Sequence, residues 1–119
     1  MIHSASVTFV GNGTNNLGSK IRGRVLAVKA VADSAVTNNW DLTLTGANTG
    51  IPILVDESVA NNATTWWHPR QLATKGVDGT AATDAFVEIP VANEPIQCVS
   101  ANAGTTGTIT VTVIFDTEQ

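Results

Sequence analysis

Toward the end of the chain, in GTITVTVIFD, Ile109, Val111, Val113 and Phe115 alternate with Thr108, Thr110 and Thr112. A period-two pattern with β-branched residues on both sides predicts a strand with one face in a core. The same reading gives strands at Ser4–Gly11, Asn39–Gly46, Ile51–Asp56, Ala85–Val91 and Glu94–Ala101. Between them lie GNGTNNLG, GANTG and NAGTTG, read as turn clusters because Gly and Asn accept positive φ.

Residues 20–36 are ambiguous. Ile21, Val25, Val28, Ala32 and Val36 fit one helical face, whereas Gly23 and the repeated valines favour a strand. The alternation of Arg22 and Arg24 with Ile21 and Val25 is imperfect in either frame. With β segments on all sides, the expectation is a long strand from about Lys20 to Ala32. Pro52, Pro90 and Pro95 fall in apparent strands and push those segments toward edges or bulges.

Short strands at this spacing predict an all-β chain, either an antiparallel β-sandwich, jelly-roll-like, or a small barrel. At 119 residues the chain suits one domain, 1–119, with room for an extended N-terminal segment and a polar surface loop or arm around 74–84. Trp40, Trp67, Val111, Val113 and Phe115 are the expected core positions.

Charged residues make up 13% of the chain, about half the usual share of roughly 25%, and the net charge is −4. A weakly charged surface rich in Thr and Asn suits a protein whose faces are largely covered by neighbours. Phosphate-backbone binding needs clustered cations, so no nucleic-acid partner is expected. Lys20, Arg22 and Arg24 alternate along one run, which reads as a solvated strand face. No apolar run reaches the roughly 20 residues of a membrane span, and MIHSASVTF lacks the features of a signal peptide, so synthesis in a reducing cytoplasm is expected. Cys98 is the only cysteine and reads as a small buried hydrophobe.

Catalytic chemistry finds no foothold in the residues. His3 and His68 are the only histidines, and they have no cysteine partners for a metal site. No G-x-S-x-G elbow occurs, and Asp56 and Glu57 point to opposite faces of a strand. The GNG at 11–13 leads toward a strand, not a helix, so it makes no phosphate cradle. No catalytic residue, metal or cofactor is expected. The sharper candidate is TTWWHPRQLAT at 64–74, where adjacent tryptophans in extended chain face opposite ways. Trp66, His68 and Arg70 form a candidate protein interface. Stacking on a sugar ring and a purely structural role are the alternatives.

Five short motifs, taken in order, resemble a group of small tailed-phage and prophage structural proteins. They are WDLTL in Trp40–Thr45, the Ile53-Leu54 pair, W-H-P-R at Trp67–Arg70, IPVANE at Ile89–Glu94, and a final strand introduced by a Gly-rich turn and T-G-T in Gly104–Phe115. Where the group carries a Gly pair before that strand, this chain has Ala103-Gly104. The N-terminal third lies outside the likeness. The resemblance implies a non-catalytic virion component. Its first implied post is head decoration, or cement: a homo-oligomer, with a trimer favoured, made in the host bacterial cytoplasm and bound to the major capsid protein on the capsid surface. A tail, baseplate or fibre-associated post is the nearest alternative. A glycan-binding β-sandwich module comes from a different class.

Overall fold

The computed structural model describes residues 1–74 and 81–117. Eight strands are found among them: β1 (Ile2–Val10), β2 (Gly13–Ala32), β3 (Trp40–Gly46), β4 (Pro52–Val59), β5 (Thr64–Trp67), β6 (Arg70–Thr74), β7 (Ala81–Ala101) and β8 (Thr108–Asp116). Every pairing is antiparallel. Among the described residues there is no helix, and so none long and apolar enough to cross a membrane.

The strand path is β1-β8-β2-β7-β3-β4, with β5 on β2 and β6 on β7. It has two free ends, so the sheet does not close into the barrel that the sequence left open. The long β2 works twice. Its first part, Gly13–Val25, pairs with β7, and its second, Arg24–Ala32, pairs with β8. One layer is therefore β1-β8-β2-β5 and the other β2-β7-β3-β4. This is a jelly-roll order in which one continuous strand serves both layers, as strands that switch sheets do through bulges and bends.

Alternating residues from both layers fill one core cluster. Trp40, Leu42 and Leu44 of β3, Ile96 and Cys98 of β7, and Ile109, Val111, Val113 and Phe115 of β8 are buried in it. Trp67 is half-buried and packs against it. The Trp40 indole Nε1 has no hydrogen-bond partner among the described residues.

The ambiguous segment resolves as strand, and a bulge explains its broken alternation. Opposite β8, Val25 pairs with Phe115 and Ala27 with Ile114, so Leu26 is an extra residue. A bulge inserts one residue and flips the parity of everything after it. Before it Arg22 and Arg24 face out and Ile21 and Val25 face in; after it Val28, Ala30 and Ala32 face in.

The structure corrects the sequence reading in three places. GNGTNNLG is not a turn throughout: Gly13–Leu17 is strand, paired with Ser100–Ile96. The two strands expected at Ala85–Val91 and Glu94–Ala101 are one, β7, interrupted by a register shift near Asn93, whose φ is 55°. Thr64–Trp67 and Arg70–Thr74 are short strands that the sequence reading did not assign. Pro52 opens the edge strand β4, and Pro95 follows the irregularity in β7. Of the loop expected around 74–84, residues 75–80 lie outside the described residues. On either side of them β6 pairs with β7, Arg70 opposite Glu88 and Leu72 opposite Phe86.

Two local devices fix this arrangement. Gly23, at the hand-over of β2 between layers, has φ 138°, and a Cβ there would strike the Asp116 carbonyl. Glu94, buried in β7, clamps the β3–β4 turn: its Oε1 accepts the backbone N–H groups of Asn48 (2.7 Å) and Thr49 (2.9 Å), and its Oε2 accepts the Thr49 hydroxyl (2.7 Å). Gly46 leaves room for this, since a Cβ there would lie 2.7 Å from Glu94 Oε1. The Thr49 N–H, then the Thr49 hydroxyl, hold the Glu94 carboxyl below its ordinary value of 4.5, against burial, which pushes it up.

Gly23→Ala is expected to lower the unfolding free energy, read as a lower denaturant midpoint, by at least the about 1–3 kcal/mol of local backbone strain, with no change in secondary-structure content at low denaturant. For Glu94 the sign follows from its lowered folded pKa. The carboxylate's contribution is complete above the unfolded value of 4.5 and is lost as pH falls through the folded one. Glu94→Gln should therefore be less stable than wild type at neutral pH and lose less of its stability on acidification to about pH 3. Equal acid sensitivity of the two proteins would remove Glu94 as the source.

Candidate interaction surface

The first part of the tract that the sequence singled out, β5, forms the outer edge of one layer, and its last part, β6, pairs with β7. Strand β5 pairs with the second half of β2, Trp66 opposite Lys29 and Trp67 opposite Val28. Along 64–70 the even positions Thr64, Trp66, His68 and Arg70 are exposed, while Thr65 and Trp67 are half-buried and Pro69 is buried. That alternation is the strand period carried across the Trp-Trp pair.

Trp67 turns inward and is tied at its polar end: its Nε1 donates to Asp56 Oδ2 at 2.9 Å. Asp56 Oδ1 in turn accepts the Ser58 N–H at 2.9 Å. Trp66 turns outward, is 50% exposed, and has the Lys29 ammonium 5.4 Å from its ring centroid. A cation over an indole face at this range is attracted by the ring quadrupole. The result is a large exposed apolar side chain supported by a neighbouring strand.

Arg70 has a structural attachment that its sequence position does not reveal. Its Nη1 donates to the Pro69 carbonyl (2.7 Å) and to the Leu26 carbonyl (3.1 Å). Leu26 is the bulged residue of β2, and a bulge takes a residue out of the ladder. Arg70 thus supplies a donor at the point where β2 breaks register, while the rest of its side chain stays exposed. His68 is exposed. Trp66, His68 and Arg70 are each exposed, Trp66 on β5 and Arg70 at the start of β6, whereas Trp67 is half-buried.

Elsewhere the chemistry-bearing side chains are dispersed. His3 is exposed on β1 and stacks on Phe115 at 5.8 Å. Cys98 is buried, and burial pushes its thiol up to about 12, which keeps it protonated and a poor nucleophile at neutral pH. Among the described residues no three His, Cys, Asp or Glu side chains are grouped to hold a metal ion. The sequence reading missed Glu94 as a structural carboxylate; the available signal was a lone Glu between apolar segments and next to Pro95.

No known protein family matches the chain, and no curated protein matches it. Among solved structures, it is similar to a chain in the acidic stable capsid structure of Helicobacter pylori bacteriophage KHP30. The TM-score is 0.56 at 14% identity, and the likeness covers 96% of this chain and 86% of that one. The similarity spans nearly the whole of both chains, so the fold described above is shared with a chain found in a phage capsid.

Proposed function

We propose that the protein is a non-enzymatic structural component of a phage virion, and within it a capsid decoration protein that binds the major capsid protein lattice and stabilises the head. The observation that carries this reading is the fold likeness, over 96% of the chain, to a chain in a phage capsid structure. The ordered motifs from Trp40 to Phe115 support it independently of the fold. So does the surface: a subunit that attaches through several modest contacts needs ordered apolar anchors in a weakly charged polar field, and Trp66 on its Lys29 support is one. In this reading Trp66, His68 and Arg70 face a neighbouring subunit, and the unit on the capsid surface is a homotrimer made in the host bacterial cytoplasm. An interface of standard size there would bury roughly 800 Å² on each partner.

The experiment is reconstitution. Purified protein added to expanded capsids that lack it should bind in fixed stoichiometry and raise the temperature at which they break open. Attachment should change little with added salt, because few of the contacts are ionic. Trp66→Ala should fold, with a loss of no more than about 1 kcal/mol from the cation–π contact, and should bind capsids much more weakly. Failure to bind capsids together with recovery in the tail fraction would move the protein to a tail, baseplate or fibre post. A saturable change in tryptophan fluorescence with host polysaccharide, absent from Trp66→Ala, would favour a glycan-binding module instead.

A further inference from the structure

Free sheet edges invite pairing with another chain, and proteins blunt them with proline, charge, bulges or short length. Most edges of this protein are blunted in those ways. Strand β4 opens with Pro52, carries Asp56 and Glu57, and slips register twice against β3. Strands β5 and β6 are only four and five residues long. The first stretch of β2 runs into a register shift between Leu17 and Ile21 and carries Lys20. Strand β1, which ends the strand path, has none of these devices: its nine residues keep unbroken register with β8, and His3 is its only titratable side chain. The ladder also fixes which of its backbone groups are free. At the two ends of β1 the Thr117 N–H donates to the Met1 carbonyl (2.9 Å) and the Gly11 N–H to the Gly107 carbonyl (2.8 Å). Odd-numbered residues therefore turn their peptide groups toward β8, and Ile2, Ser4, Ser6, Thr8 and Val10 turn theirs to the open edge. The side chains of those five are exposed, whereas Phe9 is buried and Ala5 and Val7 are half-buried against the core.

We propose that β1 pairs with the β1 of a second copy of this chain, antiparallel about a two-fold axis at Ser6. Such a contact is self-complementary by symmetry, so one sequence must satisfy both sides of it. The axis sets Ser6 opposite itself, Ser4 opposite Thr8 of the second copy, and Ile2 opposite its Val10. All five outward residues then exchange backbone hydrogen bonds, and no donor or acceptor of the edge is left over. The side chains match as well. Hydroxyl meets hydroxyl along the centre, and Ile2 and Val10, 67% and 57% exposed, cover each other at both ends. On the inner side Ala5 meets Val7 and His3 meets Phe9, which extends the row that β1 leaves half-buried. No like charges come together, because His3 is the strand's only titratable side chain. An axis at Ala5 or Val7 would set Ile2 opposite Thr8 or Ser4 opposite Val10, and would leave one end of the strand outside the ladder; an axis between residues would oppose outward groups to inward ones. Strand β1 lies at the other edge of its layer from β5. In a homotrimer built through Trp66, the pairing would thus join trimers to one another. The inference concerns the isolated chain and does not depend on its post in a virion.

The test is a charge swap at the axis. The Ser6 side chain is exposed, so a substitution there reads the contact and spares the core. Sedimentation velocity over a wide range of protein concentration should show self-association of the wild type. Ser6→Lys and Ser6→Glu should each weaken it about fivefold or more, because like charges then face each other across the axis. An equimolar mixture of the two variants should associate at least as tightly as the wild type, a rescue that requires residue 6 to meet its own counterpart. The same two charges at the exposed Ala60 should change nothing. With a short bismaleimide, Ser6→Cys should link to itself, and Ser4→Cys should link to Thr8→Cys in preference to another Ser4→Cys; the native Cys98 is buried and does not compete. Three outcomes would each overturn the proposal: no Ser6→Cys cross-link at any concentration, Ser4→Cys linking to itself as readily as to Thr8→Cys, or self-association that Trp66→Ala abolishes and Ser6→Lys leaves intact.

Discussion

A strand that hydrogen-bonds first in one sheet and then in another must turn its peptide groups between the two, and β2 does so within a few residues. Arg24 and Val25 have partners on both sides, Pro90 and Ile89 in β7 and Asp116 and Phe115 in β8. Such an approach of three backbones leaves no space for a side chain at Gly23, whose Cβ would strike the Asp116 carbonyl. The conformation that this demands, at φ 138°, is one that other residues rarely adopt. Immediately after the crossing, the Leu26 bulge resets parity so that Val28, Ala30 and Ala32 reach the core. Without the extra residue the second half of β2 would present these side chains to solvent and Lys29 to the interior.

The same geometry creates the surface. At Arg22–Arg24 the crossing strand is still in register with Ala92–Pro90, and the side chains of the two strands line a cavity of about 330 Å³. The bulge leaves the Leu26 carbonyl for Arg70, which fixes the start of β6 and hence the placement of the tract carrying Trp66 and His68. Within the β2–β7 layer Glu94, opposite Ile21, performs the equivalent task for the β3–β4 turn with a carboxylate in place of a guanidinium. In both cases a charged side chain satisfies backbone groups that the sheet itself leaves unpaired, which is the condition for burying or bending irregular backbone.

Strands whose two faces differ in polarity were legible in the sequence. In β8 and β3, alternation of apolar residues with Thr and Asp matches alternation of buried and half-buried positions. The opposed orientation of Trp66 and Trp67 was legible for the same reason. The N-terminal half of β2 was not, because Gly13–Gly18 consists mostly of residues that local propensity assigns to turns, and only pairing with Ser100–Ile96 makes it strand. The imperfect alternation of 20–32 was a true signal whose cause, one inserted residue, cannot be told from a change of secondary structure without the partner strand. Strands β5 and β6 escaped notice because each is short and Pro69 separates them. At the candidate site, the exposure of Trp66 was open to sequence reasoning; the attachment of Arg70 to Leu26 depends on residues 44 positions apart and was not.

Fold and function separate at this point. Jelly rolls serve viral capsids, lectins and enzymes alike, so the shared architecture narrows the class of protein without assigning a partner. What distinguishes this chain is where it spends its few strong surface groups. The outward tryptophan lies on β5, at the edge of one layer, whereas Arg22 and Arg24 lie where that layer hands β2 to the other. About five residues of β2 separate Arg24 from Lys29, a span of roughly 16 Å at strand rise, and the bulge between them changes the strand's direction. The indole on β5 and the arginines on β2 are thus held apart by the ladder between the two strands and by the bulge within one of them.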